Sequence, residues 1–336
     1  MKGKGAGPGL GAVFLWVDNE GRMGENGFIM KSFYRIMLGR QSIFAEEAYT
    51  GNFIGGGWFP EIDLSTFLLS DRREFNHEFI TVYLAQNPGK TKVAAGLACG
   101  FLWTIVKEIQ IGDVILCPNG KGEYLVGEVT TEYVYQKDSV LPHQRSVRWY
   151  TQKIPRSEMT KALQNSAGSI GTVCNLTRYS EEIEKLILGE KSVVQVENEM
   201  TEDLTVFGLE KHLEEFLIHN WKQTELGKDY DIYEVDGEMV GQQYPSDTGP
   251  IDILAISKDK KELVVIELKR GRISDVVVGQ IQRYMGYVKE VLAEEGQSVR
   301  GIIIALEDDL RLRRALSVAQ NIEFFTYKIQ FKLEKR

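Results

Sequence analysis

Cysteine is scarce. The 336-residue chain has three (Cys99, Cys117 and Cys174), each in an apolar or Gly-rich stretch. That number and placement exclude a disulfide framework and a Cys-based zinc module. Histidine is almost as rare, with four residues and none at ligand spacing, so a structural zinc site is not expected. No apolar run approaches the ~18 residues of a membrane span, and no signal-peptide pattern opens the chain. These absences describe a soluble protein of a reducing compartment, with a cytoplasmic location and no membrane partner expected. What remains is 43% hydrophobic and 26% charged, enough for two ordinary cores.

The net charge of −8 conceals two unlike halves. Residues 1–180 carry 19 basic and 17 acidic side chains, a net of +2, while residues 181–336 carry 21 and 31, a net of −10. Within the first half, Arg145, Arg148, Lys153, Arg156, Lys161 and Arg178 face a single acid, Glu158, across residues 140–180. An overall acidic chain argues against nucleic acid, whose phosphates call for a positive footprint, but this local stretch of +5 restores the possibility.

Patterning divides the chain further. Residues 1–10 are Gly-rich and aperiodic and read as a tail. Residues 11–190 alternate short apolar runs with turns, as a mixed α/β module with a bent sheet does, and Val93–Ile109 reads as a helix. Residues 191–206 read as an acidic linker and residues 207–336 as a second domain. There, Leu209, Leu213, Phe216 and Leu217 mark a helix face ending near Trp221. Strands Ile251–Ile256 and Leu263–Lys269 follow, then a helix with Ser274 as N-cap running to about Glu294. Strand Gly301–Leu306, a short helix Arg311–Gln320 and a closing strand or pair over Ile322–Lys332 complete an α/β layer with a mixed sheet.

Ionisable residues inside the two apolar strands carry the chemistry. Side chains alternate along a strand, so Glu267 and Lys269 share a face. A hairpin that pairs Ile256 with Leu263 sets Asp252 opposite Glu267. Two facing carboxylates in an apolar sheet repel and are costly to desolvate, a situation relieved by a cation between them. Hard oxygen donors favour Mg²⁺ or Mn²⁺. Lys269 then stands where it can position a water or neutralise a phosphorane-like transition state. Glu210 and Glu214 are i, i+4 on the preceding helix, and Gln280 and Tyr284 are i, i+4 on the following one. The bland reading of E-x-K, a structural ion pair at a strand end, has to explain these flanking residues too.

In this order, a helical Glu in LEKHLEEFL, G-x-I-D, E-x-K, RGRISDVVVGQ and Q-x3-Y, residues 207–332 resemble the C-terminal domain of NucS-type endonucleases in the PD-(D/E)xK superfamily. The resemblance implies a restriction-endonuclease-like α/β core and metal-dependent hydrolysis of a phosphodiester by an activated water. By motif matching, Asp252 and Glu267 would ligate the metal and Lys269 would be the catalytic lysine. Glu214 would be the helical acid, with Glu210 as fallback, and Gln280 and Tyr284 would orient the lysine or contact nucleic acid.

Upstream, GDVILCPNGKGEYLVGEVTTEYVY with LPHQRSVRWY resembles EVE/PUA-like domains, some of which grip a flipped base. That resemblance implies a reader in which Trp149 stacks on a base, Arg145 and Arg148 contact phosphate or base edges, and Ser166 and Ser169 of NSAGSIG line a phosphate cradle. Trp103 reads as core and His143 as an exposed loop residue. Together the two resemblances point to a Mg²⁺-dependent DNA endonuclease, modification-dependent or anti-phage, acting as a homodimer on DNA with modified bases. A structure-specific or RNA-directed nuclease and a catalytically silent nucleic-acid sensor remain as alternatives.

Overall fold

The computed structural model describes residues 31–67, 71–168, 171–189, 210–269, 275–307 and 310–328. The expected tail, the 191–206 linker, Ser169, the Ser274 cap and the far end of the closing segment lie outside the described residues. No helix among the described residues is long and apolar enough to cross a membrane.

Two large sheets arise from the two patterned regions, beside a two-stranded ribbon of Glu234–Val235 with Glu238–Met239. The first uses strands β1 (Phe33–Ile36), β2 (Phe53–Gly56), β3 (Val114–Pro118), β4 (Glu123–Val129), β5 (His143–Trp149) and β6 (Val173–Asn175). Their order is β2-β5-β4-β3-β1-β6, with two short strands attached to β4 and β5. All pairings are antiparallel except β1 with β3. The second sheet runs β7 (Gln242–Ser246), β8 (Gly249–Ser257), β9 (Glu262–Lys269), β10 (Ser298–Ala305) and β11 (Ile322–Thr326), with Tyr230–Ile232 pairing against β8. It is mixed, as expected: β7, β8 and β9 are antiparallel and β9, β10 and β11 parallel. β9 and β10 read as near-continuous apolar runs because helices cover both faces of this layer. Helix α3 (Glu210–Asn220) joins one apolar cluster with Ile253, Ile266 and Ile302, and α4 (Val276–Tyr287) joins the other with Leu254, Val265 and Ile303.

Helices α1 (Arg72–Gln86) and α2 (Lys92–Trp103) start at side-chain caps, Asp71 accepting from Glu74 N and Thr91 from Ala94 N. The α2 sequence KVAAGLACGFLW is apolar all round, the signature of a helix buried on every side. Its two faces serve different cores. Ala95, Cys99 and Leu102 pack with the first sheet, whereas Val93 and Leu97 pack with the second. Polar contacts fasten the same seam: the Tyr244 hydroxyl donates to Val93 O at 2.9 Å, and the Tyr233 hydroxyl to Thr91 Oγ1 at 3.1 Å. Lys92 N donates to Glu294 at 2.8 Å, and Arg73 pairs with Glu290 at 2.6 Å. Residues 32–336 thus fold as one compact unit.

Two local expectations change. Phe216, read as part of the buried helix face, is 51% exposed, because the helix packs on the sheet through Leu213, Leu217 and Ile218 instead. His143, read as an exposed loop residue, is fully buried in β5, hydrogen-bonded to Tyr133 at 2.9 Å and to Phe59 O at 3.3 Å. Burial pushes its pKa down. Trp103 is in the core, as its apolar helix implied.

Since the seam is buried, the regions on either side should unfold together. Urea unfolding followed by far-UV circular dichroism and tryptophan fluorescence should show one coincident transition. Tyr244→Phe should lower stability by about 1 kcal/mol through the lost bond to Val93 O. Two separated transitions in the unmodified chain would contradict this packing.

Candidate active site

The β8–β9 hairpin takes the register anticipated from its sequence, with Ile256 opposite Leu263 and Ile253 opposite Ile266. One step further lie Asp252 and Glu267, where β8 and β9 leave their ladder. The Asp252 carboxylate fills the gap by accepting from Leu268 N at 2.8 Å. Glu267 is 2% exposed and pairs with Lys269 Nζ at 2.7 Å, the same-face contact that strand alternation requires. Lys269 keeps a quarter of its side-chain surface open to solvent. The lysine therefore sits at the rim and the glutamate at the floor.

Tyr284 covers this group from α4. It is nearly buried, and Gln280 Nε2 donates to its hydroxyl at 3.4 Å. Burial raises the phenol's pKa, and the nearby charges of Glu267 and Asp252 raise it further, while Gln280 and Lys269 oppose them. The i, i+4 pair read from sequence thus lies within electrostatic reach of all three strand residues. Gly249 makes room for it. This glycine has φ +128, and a Cβ there would stand 3.1 Å from the Tyr284 hydroxyl.

Glu214 enters from α3 and is 4% exposed. It is held by two amides, Gln242 Nε2 on Oε1 at 2.7 Å and Gln243 Nε2 on Oε2 at 2.6 Å. Gln243 also donates to Asp252 Oδ1 at 3.1 Å, linking the helical acid to the strand acid. Burial pushes the Glu214 pKa up to about 7, and the Asp252 charge adds to it. The two glutamine bonds and the Arg178 charge pull the other way. The side chain of Glu210, the fallback acid, lies outside the described residues.

The donor set suits a hard divalent cation. Asp252 and Glu267 offer carboxylate oxygens from adjacent strands beside a lysine. Among the described residues no group of three or more His, Cys, Asp or Glu gathers around one point. Two carboxylates with the remaining positions left to water and phosphate is how proteins commonly hold Mg²⁺. Glu214 stands one glutamine removed from the pair.

The proposed reader residues are placed differently. Arg145 is 1% exposed, and its guanidinium donates to the carbonyls of Ile105, Val106 and Thr131, closing the end of the helical segment after α2. It is a structural arginine here, not a free phosphate contact. Trp149 is half-buried, gives its indole N–H to Ala48 O at 3.3 Å and tilts against Tyr49 at 5.9 Å. Arg148 is exposed and paired with Glu128 at 3.1 Å. Ser166 bonds Tyr179 at 2.8 Å and Arg178 at 3.2 Å, and Arg178 lies over the Tyr179 ring.

Gln242, Gln243 and Arg178 were not singled out from the sequence as site residues. A signal for the glutamines existed. If the SDTG turn pairs Ser246 with Gly249, counting back sets Gln243 opposite Asp252, and the observed register does so. No comparable local signal marks Arg178, whose approach to Glu214 is a product of tertiary packing.

Comparison with known proteins finds two separate matches along the chain. Residues 34–177 match the model of a domain of unknown function (DUF8426). Residues 209–329 match the Endonuclease NucS C-terminal domain. Endonuclease NucS of Pyrococcus abyssi is 28% identical over 187 residues, covering 55% of this chain and 67% of that protein. The Sulfolobus acidocaldarius Endonuclease NucS is 34% identical over 99 residues, covering 29% of this chain and 34% of its own. Among curated relatives the matched stretches thus span from about a third to two thirds of their length. Two solved structures also match. A repair endonuclease from Pyrococcus abyssi is 17% identical, with TM-score 0.29, covering 63% of this chain and 66% of that one. An EndoMS–dsDNA complex is 16% identical, with TM-score 0.31, covering 62% of each. Both global likenesses are too slight to transfer any feature. Residues 209–329 of this chain are thus similar to the nuclease domain of NucS endonucleases.

Proposed function

We propose that the chain is a divalent-metal-dependent DNA endonuclease whose chemistry resides in Asp252, Glu267 and Lys269. The observation that carries this reading is the register of β8 and β9, which brings two carboxylates to one strand end with Lys269 bound to Glu267. The names of the curated relatives, Endonuclease NucS, support endonuclease activity. In this reading Asp252 and Glu267 would hold Mg²⁺ or Mn²⁺, which when bound would activate a water and offset charge on the scissile phosphate. Lys269, at the solvent edge, orients the attacking water or faces the developing negative charge. Tyr284 and Gln280 fix the lysine side of the pocket. Arg178 is an N-terminal cation whose field reaches Glu214, and it offers a phosphate contact beside the site. A double-strand break would require two copies, so a homodimer belongs to the proposal.

Recognition of modified bases, and with it a restriction or anti-phage role, draws less support. Trp149 and Arg145 are engaged in packing, as described above. A matched panel of plain and modified duplexes tests that role directly, and equal rates on both would remove it.

The central test is cleavage of duplex DNA with Mg²⁺ or Mn²⁺. Asp252→Asn should lower the rate by at least 10³-fold while leaving DNA binding within a few-fold of the parent. Undiminished cleavage would sink the assignment. Lys269→Met should lower kcat with little change in metal affinity, because the ammonium is not a ligand.

Glu214 gives a pH test in the metal-free protein. Its folded pKa of about 7 lies above the usual carboxylate value, so the folded state binds the extra proton. That contribution to stability is fully present below about pH 4.5 and is lost as pH rises through about 7. The loss is on the order of 3 kcal/mol for a shift of this size. Glu214→Gln should flatten this segment of the stability–pH curve, measured by urea unfolding in chelator. Parallel curves for parent and variant would show that Glu214 is not a raised acid.

A further inference from the structure

We infer that Gln243 is a positioning residue that fixes the Asp252 carboxylate for metal binding, a role that rests on the nuclease reading above. Three observations meet at this one residue. First, β7 and β8 stay in step on both sides of it. Gln242 pairs with Ile253, and Tyr244 with Ile251, yet the ladder is interrupted where Gln243 faces Asp252. No residue is inserted there. Instead Gln243 alone takes φ 50, a left-handed conformation that β-strand residues with a Cβ avoid.

Second, the turned residue places its amide between two acids. Nε2 has two hydrogens, and its two acceptors are Glu214 Oε2 at 2.6 Å and Asp252 Oδ1 at 3.1 Å. Third, the other Asp252 oxygen accepts from Leu268 N at 2.8 Å. Asp252 is therefore gripped by a donor from each flanking strand, β7 and β9, which sets the plane of its carboxylate. The close approach is built into the backbone just upstream. Gly241 donates to Tyr233 O and accepts from Leu254 N, and a Cβ on it would lie 2.1 Å from Leu254 O.

Glycine or asparagine would relieve the backbone at position 243. Neither can span both carboxylates. A strained glutamine kept at the one point where two functional acids approach is an outlier from which function can be argued. Its neutral amide also stands between Glu214 and Asp252, donating one hydrogen to each. This gives Glu214 a position behind the ligand, one hydrogen-bonded step away from it.

The test uses the full chain as Gln243→Gly, Gln243→Asn and Asp252→Asn, with three measurements on each: thermal melting in chelator, Mn²⁺ binding by calorimetry, and duplex cleavage against Mn²⁺ concentration. Q243G should melt at or above the parent temperature, bind Mn²⁺ at least fivefold more weakly, and cut at least tenfold more slowly at low metal. Much of the rate should return at saturating Mn²⁺, because the ligand is present but unoriented. Should the glycine variant fold poorly, Q243N supplies the same comparison with an amide too short to bridge. A folded variant with parental Mn²⁺ affinity and parental cleavage overturns the role of Gln243, as does a rate loss that merely follows a loss of melting temperature. A parent chain that binds Mn²⁺ but cuts nothing under any condition overturns the nuclease reading instead. In that case the calorimetry of Q243G still decides the positioning claim.

Discussion

The structure around the candidate site follows from one electrostatic constraint: two carboxylates must share one end of an apolar antiparallel pair. Asp252 and Glu267 cannot move apart, because each belongs to a strand whose neighbours are fully buried isoleucine, leucine and valine. Shifting the register by one residue would turn those apolar side chains out of their clusters. The core therefore fixes the acids, and the surroundings must make them tolerable. Each neighbour can be read as an answer: Lys269 paired with Glu267, the Leu268 amide on Asp252, and the Gln243 amide between Asp252 and Glu214. A divalent cation is the remaining answer, and the chemistry of the donors favours it.

The same constraint separates the roles of three acids that a sequence motif treats alike. Glu267 pairs with a lysine, and Asp252 accepts from two N–H donors. Glu214 faces two amides as well, yet its burial and the Asp252 charge outweigh them, and its pKa rises to about 7. Environment, not identity, decides which carboxyl holds a proton near neutrality. Glu214 stands one glutamine away from Asp252, and no group of three acids gathers around one point among the described residues.

Much of this site was legible because it depends on strand arithmetic. Pairing Ile256 with Leu263 is an inference from turn length and apolar alternation, and it delivers Asp252 opposite Glu267 without knowledge of the tertiary fold. The i, i+4 relation of Gln280 and Tyr284 is equally local. What could not be read depends on packing between distant elements. Arg145 looked like a phosphate contact since arginine in a basic strand usually faces solvent. Its burial comes from helix carbonyls left open forty residues earlier in the chain. His143 is the same case, hidden by the Phe59 carbonyl from a far segment. Phe216 misled in the opposite direction: its i+3 spacing from Leu213 put it on the apolar stripe, but α3 meets the sheet along a narrower line.

The charge split that first suggested an acidic catalytic half and a basic reader takes a different form in three dimensions. The two halves are not joined only through the chain between them, because α2 buries one face in each core. Isolating residues 207–336 would therefore uncover Val93's and Leu97's partners, Tyr244 among them, and leave the Tyr244 hydroxyl without its acceptor. Losing burial of that kind costs more than exposed surface charges contribute. The N-terminal region is thus required first for the stability of the nuclease sheet. Its electrostatic influence on the site comes second, through Arg178, whose charge tertiary packing brings toward Glu214. A seam that is structural before it is electrostatic also accounts for the sequence of α2. A helix that must contact two sheets at once needs small and apolar residues on every face, and KVAAGLACGFLW supplies them.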